Sequence, residues 1–498
     1  MKYFKLSALA GVLLTALAGC LVGPNYKRPE TKVPGKWDGQ GTVTPAQPSK
    51  TTTNPVALVE WWHSFNDPTL SALVEMGIRN NLDLRQAEAR IRQARAARGV
   101  AGAPLWPEVD LNALYQRSWP AGQSLTSPGI SPTPAPGPKP KPPPTTTTSA
   151  VGGIRDLFRV GLDATWELDF FGGTRRSVEA ATADLQAAVE DRRDVLVTLV
   201  GDVGNNYINL RGFQQQLVIA RRNLEAQRRT AAITRKRHEA GFVGALDVAN
   251  ADAQVATTEA AIPLLESAAR AATYSLGVLL GREPAALTPE LSKESPIPPS
   301  PPEIPVGLPS ELLRRRPDIR RAEAQLHAAT ARIGVATADW FPKFSLTGSL
   351  GFSANELSKL GNFDSKFWSF GPSVTWPIFA GGRIYWNIKV QDALTEQALA
   401  AYEKVVLTAL KDVETALVAY AKEQEHRKSL TEAVNNNRRA VDLAMKLYLA
   451  GKSDFLNVLI AQRSLFVSED ALVQSIRTVD TNLIALYKAL GGGWEKSP

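Results

Sequence analysis

The sequence is poor in the residue types that build most metal sites, disulfides and nucleotide-binding loops. Among 498 residues there is one cysteine, Cys20, which excludes a disulfide within the chain and a site built from several thiolates. The four histidines lie far apart in sequence and form no spaced ligand pair: His63, His238, His327 and His426. There is no GxxxxGK phosphate loop and no dinucleotide-binding glycine pattern after a strand. We therefore expect no metal, no non-covalent cofactor and no enzymatic activity.

The N-terminus has the pattern of an export segment. Lys2 and Lys5 precede an apolar run at positions 6–18, and small residues follow up to Cys20. A helix needs about 20 residues to cross a bilayer, so this run is too short to span one. Residues 17–20, LAGC, resemble a bacterial lipobox, which implies a signal peptide at 1–19 and a covalent lipid on Cys20. Leu21 at the next position favours the outer membrane. A plain signal peptide with an incidental cysteine is the alternative.

The net charge is +8, from 57 Lys and Arg against 49 Asp and Glu. In a cytoplasmic protein this excess would favour a nucleic-acid partner. The export segment argues against that partner, and we expect no nucleic-acid binding.

Long apolar runs are absent after the export segment. No later stretch has 18 consecutive apolar residues, so we expect no membrane-spanning helix in the mature chain. If the chain crosses a membrane, it has to do so as strands, because only helices and closed barrels satisfy their backbone groups in lipid.

The second half of the sequence repeats the first. The segment DLRQAEA at Asp83 recurs as DIRRAEA at Asp318, an offset of 235, whereas Gly241 matches Gly451 at an offset of 210. The first copy therefore holds 25 additional residues, which fall in a Pro- and Thr-rich loop near 128–149. We divide the chain into a signal peptide (1–19), a lipidated extended segment (20–67), a first copy (68–295), a Pro-rich linker (296–309), a second copy (310–491) and a tail (492–498).

Each copy contains two runs in which apolar and polar residues alternate, as in a strand with two different faces. The apolar members are Phe158, Val160, Leu162, Ala164, Trp166, Leu168 and Phe170; Phe344, Leu346, Leu350 and Phe352; Phe370, Val374 and Trp376; and, more weakly, Val109, Leu111, Ala113 and Tyr115. Their lengths and terminal aromatics suit transmembrane strands, but half-buried strands of a soluble sheet alternate in the same way, and the pattern alone does not choose between them. Four strands cannot close a barrel, whose smallest membrane form has about eight. A membrane-spanning chain must therefore oligomerise, and two or three copies both satisfy the arithmetic.

After each second strand, a Gly-Gly step at 172 or 381 leads into a long stretch without proline. The first stretch, 174–240, is 67 residues long, which corresponds to about 100 Å of helix. Its apolar residues form a narrow stripe: Leu185, Val189, Leu196, Leu199, Val203, Tyr207, Leu210 and Leu217. A returning helix follows Gly241 or Gly451, so each copy is predicted to form a long helical hairpin. A solvated coiled coil is one interpretation; a stave of a helical tube, favoured by the accompanying strands, is the other.

These landmarks, in this order, resemble the TolC-like outer-membrane efflux factors, especially the lipoprotein (NodT-type) branch that serves resistance-nodulation-division pumps. The matching pieces are LAGC at 17–20, GPNY at 23–26, WW at 61–62 with Phe65, DP at 67–68, RRPDI at 315–319, WPIFAGG at 376–382 and the stretch from Tyr448 to 462. The resemblance implies an internally duplicated, mixed α and β fold that assembles as a homotrimer. It implies a 12-stranded transmembrane β-barrel in the outer-membrane lipid, with four strands per chain, continued by a long periplasmic α-helical barrel. Its expected partners are a periplasmic adaptor and an inner-membrane pump.

The resemblance also assigns roles to the hairpin tips, which dock adaptors and dilate like an iris in this family. The predicted docking residues are Gly241, Leu246, Val248, Gly451 and Val458. The predicted periplasmic gate residues are Asp454, Leu456, Asn457, Leu459 and Ile460. Many relatives carry an aspartate where this sequence has Ile460, and some carry an acidic residue where it has Asn457. The sequence therefore leaves two interpretations of the gate: a threefold ring of Asp454 carboxylates, or an apolar constriction formed by Leu456 and Leu459. For Asp454 a solvated turn residue, and for the two glycines a plain helix cap, are the structural alternatives.

The function we predict is a passive exit duct for small toxic compounds, the outer-membrane channel of a tripartite efflux system. The exit pore of type I protein secretion is one alternative. A non-conducting periplasmic coiled-coil lipoprotein is the other. A row of arginines, Arg85, Arg92 and Arg95, either attracts anionic solutes or forms a solvated face.

Overall fold

The structure is a computed structural model that describes residues 21–38, 50–52, 58–119, 154–301, 303–305 and 308–494. The predicted signal peptide, Cys20 and the Pro- and Thr-rich segment near 128–149 lie outside these residues. The chain divides into two compact units. The sheet unit comprises Met1–Pro24, Gly99–Val178 and Arg332–Lys389, and the helical unit comprises Asn25–Arg98, Glu179–Ala331 and Val390–Pro498. Each unit takes segments from both sequence copies.

The strands, numbered in chain order, are β1 (Lys50–Thr52), β2 (Glu108–Ser118), β3 (Arg155–Leu168), β4 (Glu303–Pro305), β5 (Lys343–Ala354) and β6 (Lys366–Thr375). In the sheet unit, four of them form an antiparallel sheet in the order β2-β3-β5-β6. The short β1 and β4 form a separate parallel pair in the helical unit. All four predicted strands are confirmed. Their ends differ: β3 ends at Leu168 rather than Phe170, and β6 runs from Lys366 to Thr375, before Trp376.

The helices are α1 (Pro68–Asn80), α2 (Leu82–Gly102), α3 (Gly173–Glu239), α4 (Ala245–Leu279), α5 (Thr288–Leu291), α6 (Pro309–Arg315), α7 (Pro317–Ala338), α8 (Arg383–Leu449) and α9 (Phe455–Ala489). Helices α3 and α8 have 67 residues each, and α4 and α9 have 35 each. The two copies thus build helices of equal length, as the repeat predicts. Within the described part of the chain, no helix has both the length and the apolarity to span a bilayer.

Asp67 fixes the start of α1. One carboxylate oxygen accepts hydrogen bonds from the N–H groups of Thr69 at 2.8 Å and Leu70 at 3.0 Å, and Pro68 occupies the first helical position. The other oxygen accepts from the hydroxyl of Tyr207 on α3 at 2.7 Å. Burial raises the pKa of Tyr207 to about 12, and the bond to Asp67 acts in the same direction. The phenol therefore stays protonated and ties α3 to α1.

The apolar stripe of α3 supplies much of the core of the helical unit. Six of its predicted members are buried, namely Leu196, Leu199, Val203, Tyr207, Leu210 and Leu217, whereas Leu185 and Val189 are half-buried. Each aliphatic side chain of this size stabilises the fold by roughly 1.5–3 kcal/mol when fully buried. Trp61 closes the same core and stacks on Tyr487 of α9, with ring centroids 5.2 Å apart. The WW motif therefore serves packing.

Candidate functional site

The sheet has one apolar and one polar face. The apolar face leaves large side chains exposed: Val109, Leu111, Tyr115, Leu162, Leu350, Trp368, Phe370 and Val374. The polar face carries Asn112, Asp163, Ser345, Thr347, Ser349, Ser369 and Ser373. The register keeps each set on one side, because directly opposed residues of an antiparallel ladder point the same way. An exposed apolar surface of this extent marks contact with lipid or protein.

Tryptophans collect at the end of the sheet where β3 and β6 finish. The indole Nε1 of Trp166 donates to the carbonyl of Leu105 at 3.0 Å, and that of Trp376 donates to the carbonyl of Trp340 at 3.0 Å. Trp106, just before β2, is largely exposed. Indole rings with a satisfied N–H and an exposed apolar surface are typical of a membrane–water interface.

The start of the described chain lies at the same end of the sheet. The N–H of Val22 donates to the carbonyl of Phe171 at 3.2 Å, just after β3. The Nε of Arg176 donates to the carbonyl of Val22 at 3.0 Å. These bonds hold the chain that follows Cys20 beside the turn between β3 and α3.

Hydrogen bonds order the polar face. The Nδ2 of Asn112 donates to Asp163 Oδ2 at 2.7 Å, and the guanidinium of Arg159 lies 3.9 Å from the same carboxylate. The hydroxyls of Ser349 and Ser369 are 2.7 Å apart across β5 and β6. Charged and hydroxyl groups in this number would be costly to place against hydrocarbon, so this face suits water.

Each helical hairpin turns at a glycine in the left-handed region of backbone conformation. The φ angles are +76° at Gly241 and +69° at Gly451. In both turns the residue after the glycine donates its N–H to the carbonyl five residues earlier at 2.9 Å, the long bond of a Schellman cap. Apart from the neighbouring residues in the chain, no atom lies within 4 Å of a Cβ built on either glycine, so the positive φ alone selects glycine here. Both glycines are helix caps.

The structure places the predicted docking and gate residues at these two turns. Among the docking residues, Gly241, Leu246 and Gly451 are exposed, Val248 is half-buried and Val458 is fully buried. Among the gate residues, Asp454, Leu456, Asn457 and Ile460 are exposed and Leu459 is half-buried. Asp454 precedes the first residue of α9, and its carboxylate makes no capping bond. The side chain of Val458 therefore supports the tip from inside, whereas Asp454 and Leu456 face outward.

Arg237 and Tyr448 join the tips of the two hairpins. An Nη of Arg237, on α3, donates to the carbonyl of Tyr448 on α8, and its guanidinium lies 4.4 Å from the centre of the tyrosine ring. The Tyr448 hydroxyl lies 3.4 Å from that of Thr234. The ring is fully buried and packs with Phe455 and Val458 in a small separate core. A cation–π contact of this kind contributes about 0.5–2 kcal/mol. One tyrosine thus connects both tips.

Glu469 makes a second connection farther along the hairpins. Its carboxylate accepts hydrogen bonds from Arg222 at 2.7 Å, Arg438 at 2.9 Å and Asn223 at 3.1 Å. Burial alone would raise the pKa of Glu469, but the bonds from Arg438 and Asn223 and the charge of Arg222 hold it below its ordinary value. The ionised group on α9 therefore binds α3 of the first hairpin and α8 of the second.

Sequence reasoning did not find Arg237 or Glu469. The only signal at Arg237 is a basic residue in the last turn of α3, which indicates a favourable interaction with the helix dipole and no cross-hairpin contact. Glu469 carries no local signal, since its three partners come from two other helices.

The described residues contain no metal centre: no group of three or more His, Cys, Asp or Glu side chains is placed to hold an ion. His327, one of the four histidines, lies 2.9 Å from Glu179 and stacks on Tyr26 at 4.5 Å. That histidine is engaged in packing within the helical unit.

Comparison with known proteins agrees with this geometry. Residues 73–282 and 308–492 match the model of the outer membrane efflux protein family. The pyoverdine export outer membrane protein OpmQ of Pseudomonas aeruginosa is 36% identical over 88% of this chain and 88% of its own length. The probable outer membrane lipoprotein SilC of Salmonella typhimurium is 32% identical over 99% of both chains. The solved structure of the outer-membrane channel OprN superposes with a TM-score of 0.83 at 37% identity, covering 95% of this chain and 100% of that one.

The fold, the apolar sheet face and these similarities define the class: an outer-membrane channel protein. The chain belongs to the outer membrane efflux protein family. It acts at the outer membrane as an efflux channel component.

Proposed function

We propose that three copies of this chain form the passive exit duct of a tripartite efflux system, a twelve-stranded barrel continued by a periplasmic helical barrel. The observation that carries the proposal is the four-stranded sheet, whose apolar face is exposed and whose edges, β2 and β6, have no partner strand among the described residues. Each unpaired backbone group costs several kcal/mol in lipid. Pairing β6 of one copy with β2 of the next removes both edges, and the family resemblance selects three copies.

The cargo we propose is small toxic compounds, and the chain has no catalytic role. In the closed barrel, the polar face with Asn112, Asp163 and Ser349 lines the water-filled interior. Energy comes from an inner-membrane pump, to which a periplasmic adaptor connects the duct.

We further propose a covalent lipid on Cys20 as an anchor. The bonds of Val22 to Phe171 and Arg176 support this role, because they hold the following chain at the tryptophan-rich end of the sheet. The similarity to SilC, named a probable lipoprotein, supports it as well. The acyl chains would then enter the membrane at the level of Trp166 and Trp376.

The hairpin tips serve docking and closure in this proposal. Exposed Gly241, Leu246 and Gly451 form the adaptor surface, with Val248 at its margin and Val458 supporting it from within. The exposed residues at the start of α9 and directly before it line the gate: Asp454, Leu456, Asn457 and Ile460, with Leu459 behind them. The Arg237–Tyr448 contact holds the second tip against the first and keeps the gate narrow.

Recording from the purified protein in planar lipid bilayers tests the duct. We expect discrete conductance steps of one size, with rare openings at neutral pH, from a preparation that chemical cross-linking shows to be trimeric. A correctly folded trimer that stays silent even after substitutions at Tyr448 and Leu456 would contradict a duct and favour a periplasmic scaffold.

We expect Leu456 rather than Asp454 to form the constriction. Leu456 is 55% exposed at the first turn of α9, and a ring of three such side chains excludes water, whereas three carboxylates repel one another. Leu456→Ser should therefore raise the single-channel conductance about twofold or more by wetting the constriction. Asp454→Asn is the matched control and should change cation preference without opening the pore. If Asp454→Asn opened the pore and Leu456→Ser did not change the conductance, the carboxylate ring would be the gate.

A further inference from the structure

We propose that neighbouring copies dock through paired charges: Arg85 and Arg92 on α2 of one copy, and Glu396 and Glu403 on α8 of the next. The two helices would meet between chains as the equivalent helices α7 and α3 meet within one chain, but with a different set of charged residues. This inference rests on the three-copy assembly proposed above and assigns to it the residues that recognise the neighbour.

Within the helical unit, α2 and α8 are the outer members of a row of four helices. Arg90 of α2 pairs with Asp191 of α3 at 3.3 Å, and Arg321 of α7 pairs with the same carboxylate at 2.7 Å. Arg316, directly before α7, reaches Asp412 of α8 at 3.5 Å. The row therefore runs α2-α3-α7-α8. The strands that adjoin these helices in sequence have the corresponding order in the sheet unit, where β2 and β6 are the edges.

The outer sides of α2 and α8 carry charges that have no partner. Arg85, Arg92, Glu396 and Glu403 are exposed, and none of their side chains makes an ion pair or hydrogen bond within the described part of the chain. Arginines of α2 that face α3, such as Arg90, are paired. Each unpaired set has members seven residues apart, so its two side chains lie on one face of the helix, two turns apart. The spacing is the same and the signs are opposite.

The intrachain contact between α3 and α7 shows how such faces meet. Arg320 of α7 pairs with Glu190 of α3 at 2.7 Å, and His327 pairs with Glu179 at 2.9 Å. A groove of about 760 Å³ runs between the two helices, and its lining includes Gln186, Glu190, Arg193, Arg320 and His327.

The sequence repeat maps this groove onto the outer faces. At the offset of 235, the α2 residues equivalent to Arg320 and His327 are Arg85 and Arg92. At the offset of 210, the α8 residues equivalent to Gln186 and Arg193 are Glu396 and Glu403. The α7 side of the groove thus corresponds to a face of α2 with two arginines, and the α3 side corresponds to a face of α8 with two glutamates. The carboxylates that pair with Arg320 and His327 within one chain, those of Glu190 and Glu179, correspond to Ala400 and Lys389. An interchain contact would therefore not copy these two ion pairs, and Arg85 and Arg92 would face Glu396 and Glu403 instead.

The structure supports the use of these offsets. The indole of Trp166 donates to the carbonyl of Leu105 at 3.0 Å in the first copy. The residues 210 and 235 positions later, Trp376 and Trp340, make the same bond at 3.0 Å in the second. The two offsets therefore align positions that make the same contact in both copies.

The surface between the arginines favours a second copy over a free anion. Leu82, Ala89 and Ala96 are exposed and repeat every seven residues beside Arg85 and Arg92. A small-residue and apolar seam at heptad spacing is the pattern of a helix that packs against another helix. Binding of a free anion would not require exposed apolar and small residues at this spacing.

Reversing the charges tests the pairing in the full-length protein purified in detergent. We expect Arg85→Glu/Arg92→Glu to lower the trimer fraction about tenfold at low salt, because each reversal replaces attraction by repulsion at every interface. Glu396→Arg/Glu403→Arg should do the same, and the four-site charge exchange should restore the trimer to within about twofold of the wild type. The control is Lys359→Glu, in the turn between β5 and β6, which makes the same change in net charge as the single reversal Arg85→Glu and should leave the trimer intact.

Several outcomes separate this inference from the assembly on which it rests. A wild-type protein that is not trimeric overturns both. A wild-type trimer that tolerates either reversal, or a four-site exchange that assembles no better than one reversal, overturns the charge pairing alone. An intact trimer whose anion conductance falls in Arg85→Glu/Arg92→Glu would show that the arginines serve solutes instead. The milder Arg85→Gln/Arg92→Gln, with helicity measured by circular dichroism, distinguishes weaker assembly from failure to fold.

Discussion

Trimers carrying Tyr448→Ala are expected to open about 100-fold more often in planar bilayers than the wild type. Removing a buried aromatic ring costs about 3–5 kcal/mol, and here the loss falls on the contact between the two tips. If about 3 kcal/mol of that packing is absent in the open state, the ratio of open to closed channels rises by about two powers of ten. Open probability at low voltage measures the effect directly.

Matched variants show whether the effect belongs to the tip contact. Arg237→Ala removes the same cation–π contact and should raise opening about tenfold. Arg229→Ala removes an arginine from the same helix whose ion pair is with Glu225 on that helix, and it should leave opening unchanged. Tyr448→Phe keeps the ring and should leave the open probability nearly unchanged. An equal rise in open probability in Arg229→Ala and Arg237→Ala would contradict the proposal that the Arg237–Tyr448 contact keeps the channel closed.

The repeat explains why so much of the fold is predictable from sequence. Two independent copies of one pattern give two readings of each feature, so a weak strand such as 109–115 is supported by the clearer alternation from Phe344 to Phe352. The turns at Gly241 and Gly451 are legible for a local reason, since a positive φ at the end of a long helix favours glycine. The equal helix lengths follow from those fixed ends.

Contacts that depend on which helices are neighbours cannot be predicted from the sequence in the same way. Arg237 reaches Tyr448 across 211 positions, and Arg222 reaches Glu469 across 247. No local pattern encodes such a separation, because the residues next to an arginine on α3 do not specify which distant helix its side chain contacts. Val458 shows the converse. The family motif predicts adaptor docking at that position, whereas packing with Tyr448 and Phe455 buries it completely.

A buried carboxyl group, Asp480 on α9, makes stability depend on pH. It is fully buried, its Oδ1 accepts from the hydroxyl of Ser300 at 2.6 Å, and its Oδ2 has no hydrogen-bond partner among the described residues. Burial raises the pKa of Asp480 to about 7, against the opposing effects of the Ser300 bond and the charge of Arg427. Ser300 belongs to the proline-rich linker between the copies, so this contact pins the linker to α9.

The direction of this pH dependence follows from the linkage between protonation of Asp480 and folding. Because the folded state holds the Asp480 proton more tightly than the unfolded state, the contribution of Asp480 to stability falls as the pH rises from about 4 to about 7 and changes little above that. The difference of about 3 pKa units corresponds to about 4 kcal/mol at most. Asp480→Asn has the same shape and no charge, and its amide oxygen can still accept from Ser300. We expect this variant to raise the midpoint of thermal unfolding at pH 8 and to leave it nearly unchanged at pH 4.

Ser300→Ala provides the opposing variant, because its hydroxyl stabilises the ionised form of Asp480. Its loss should lower the unfolding midpoint more at pH 8 than at pH 4, the reverse of Asp480→Asn. Comparing each variant with the wild type at the same pH removes the contribution of all other titrating groups. An equal shift at both pH values in Asp480→Asn would mean that Asp480 is ionised throughout, and that a counter-charge stabilises it better than its single hydroxyl partner accounts for.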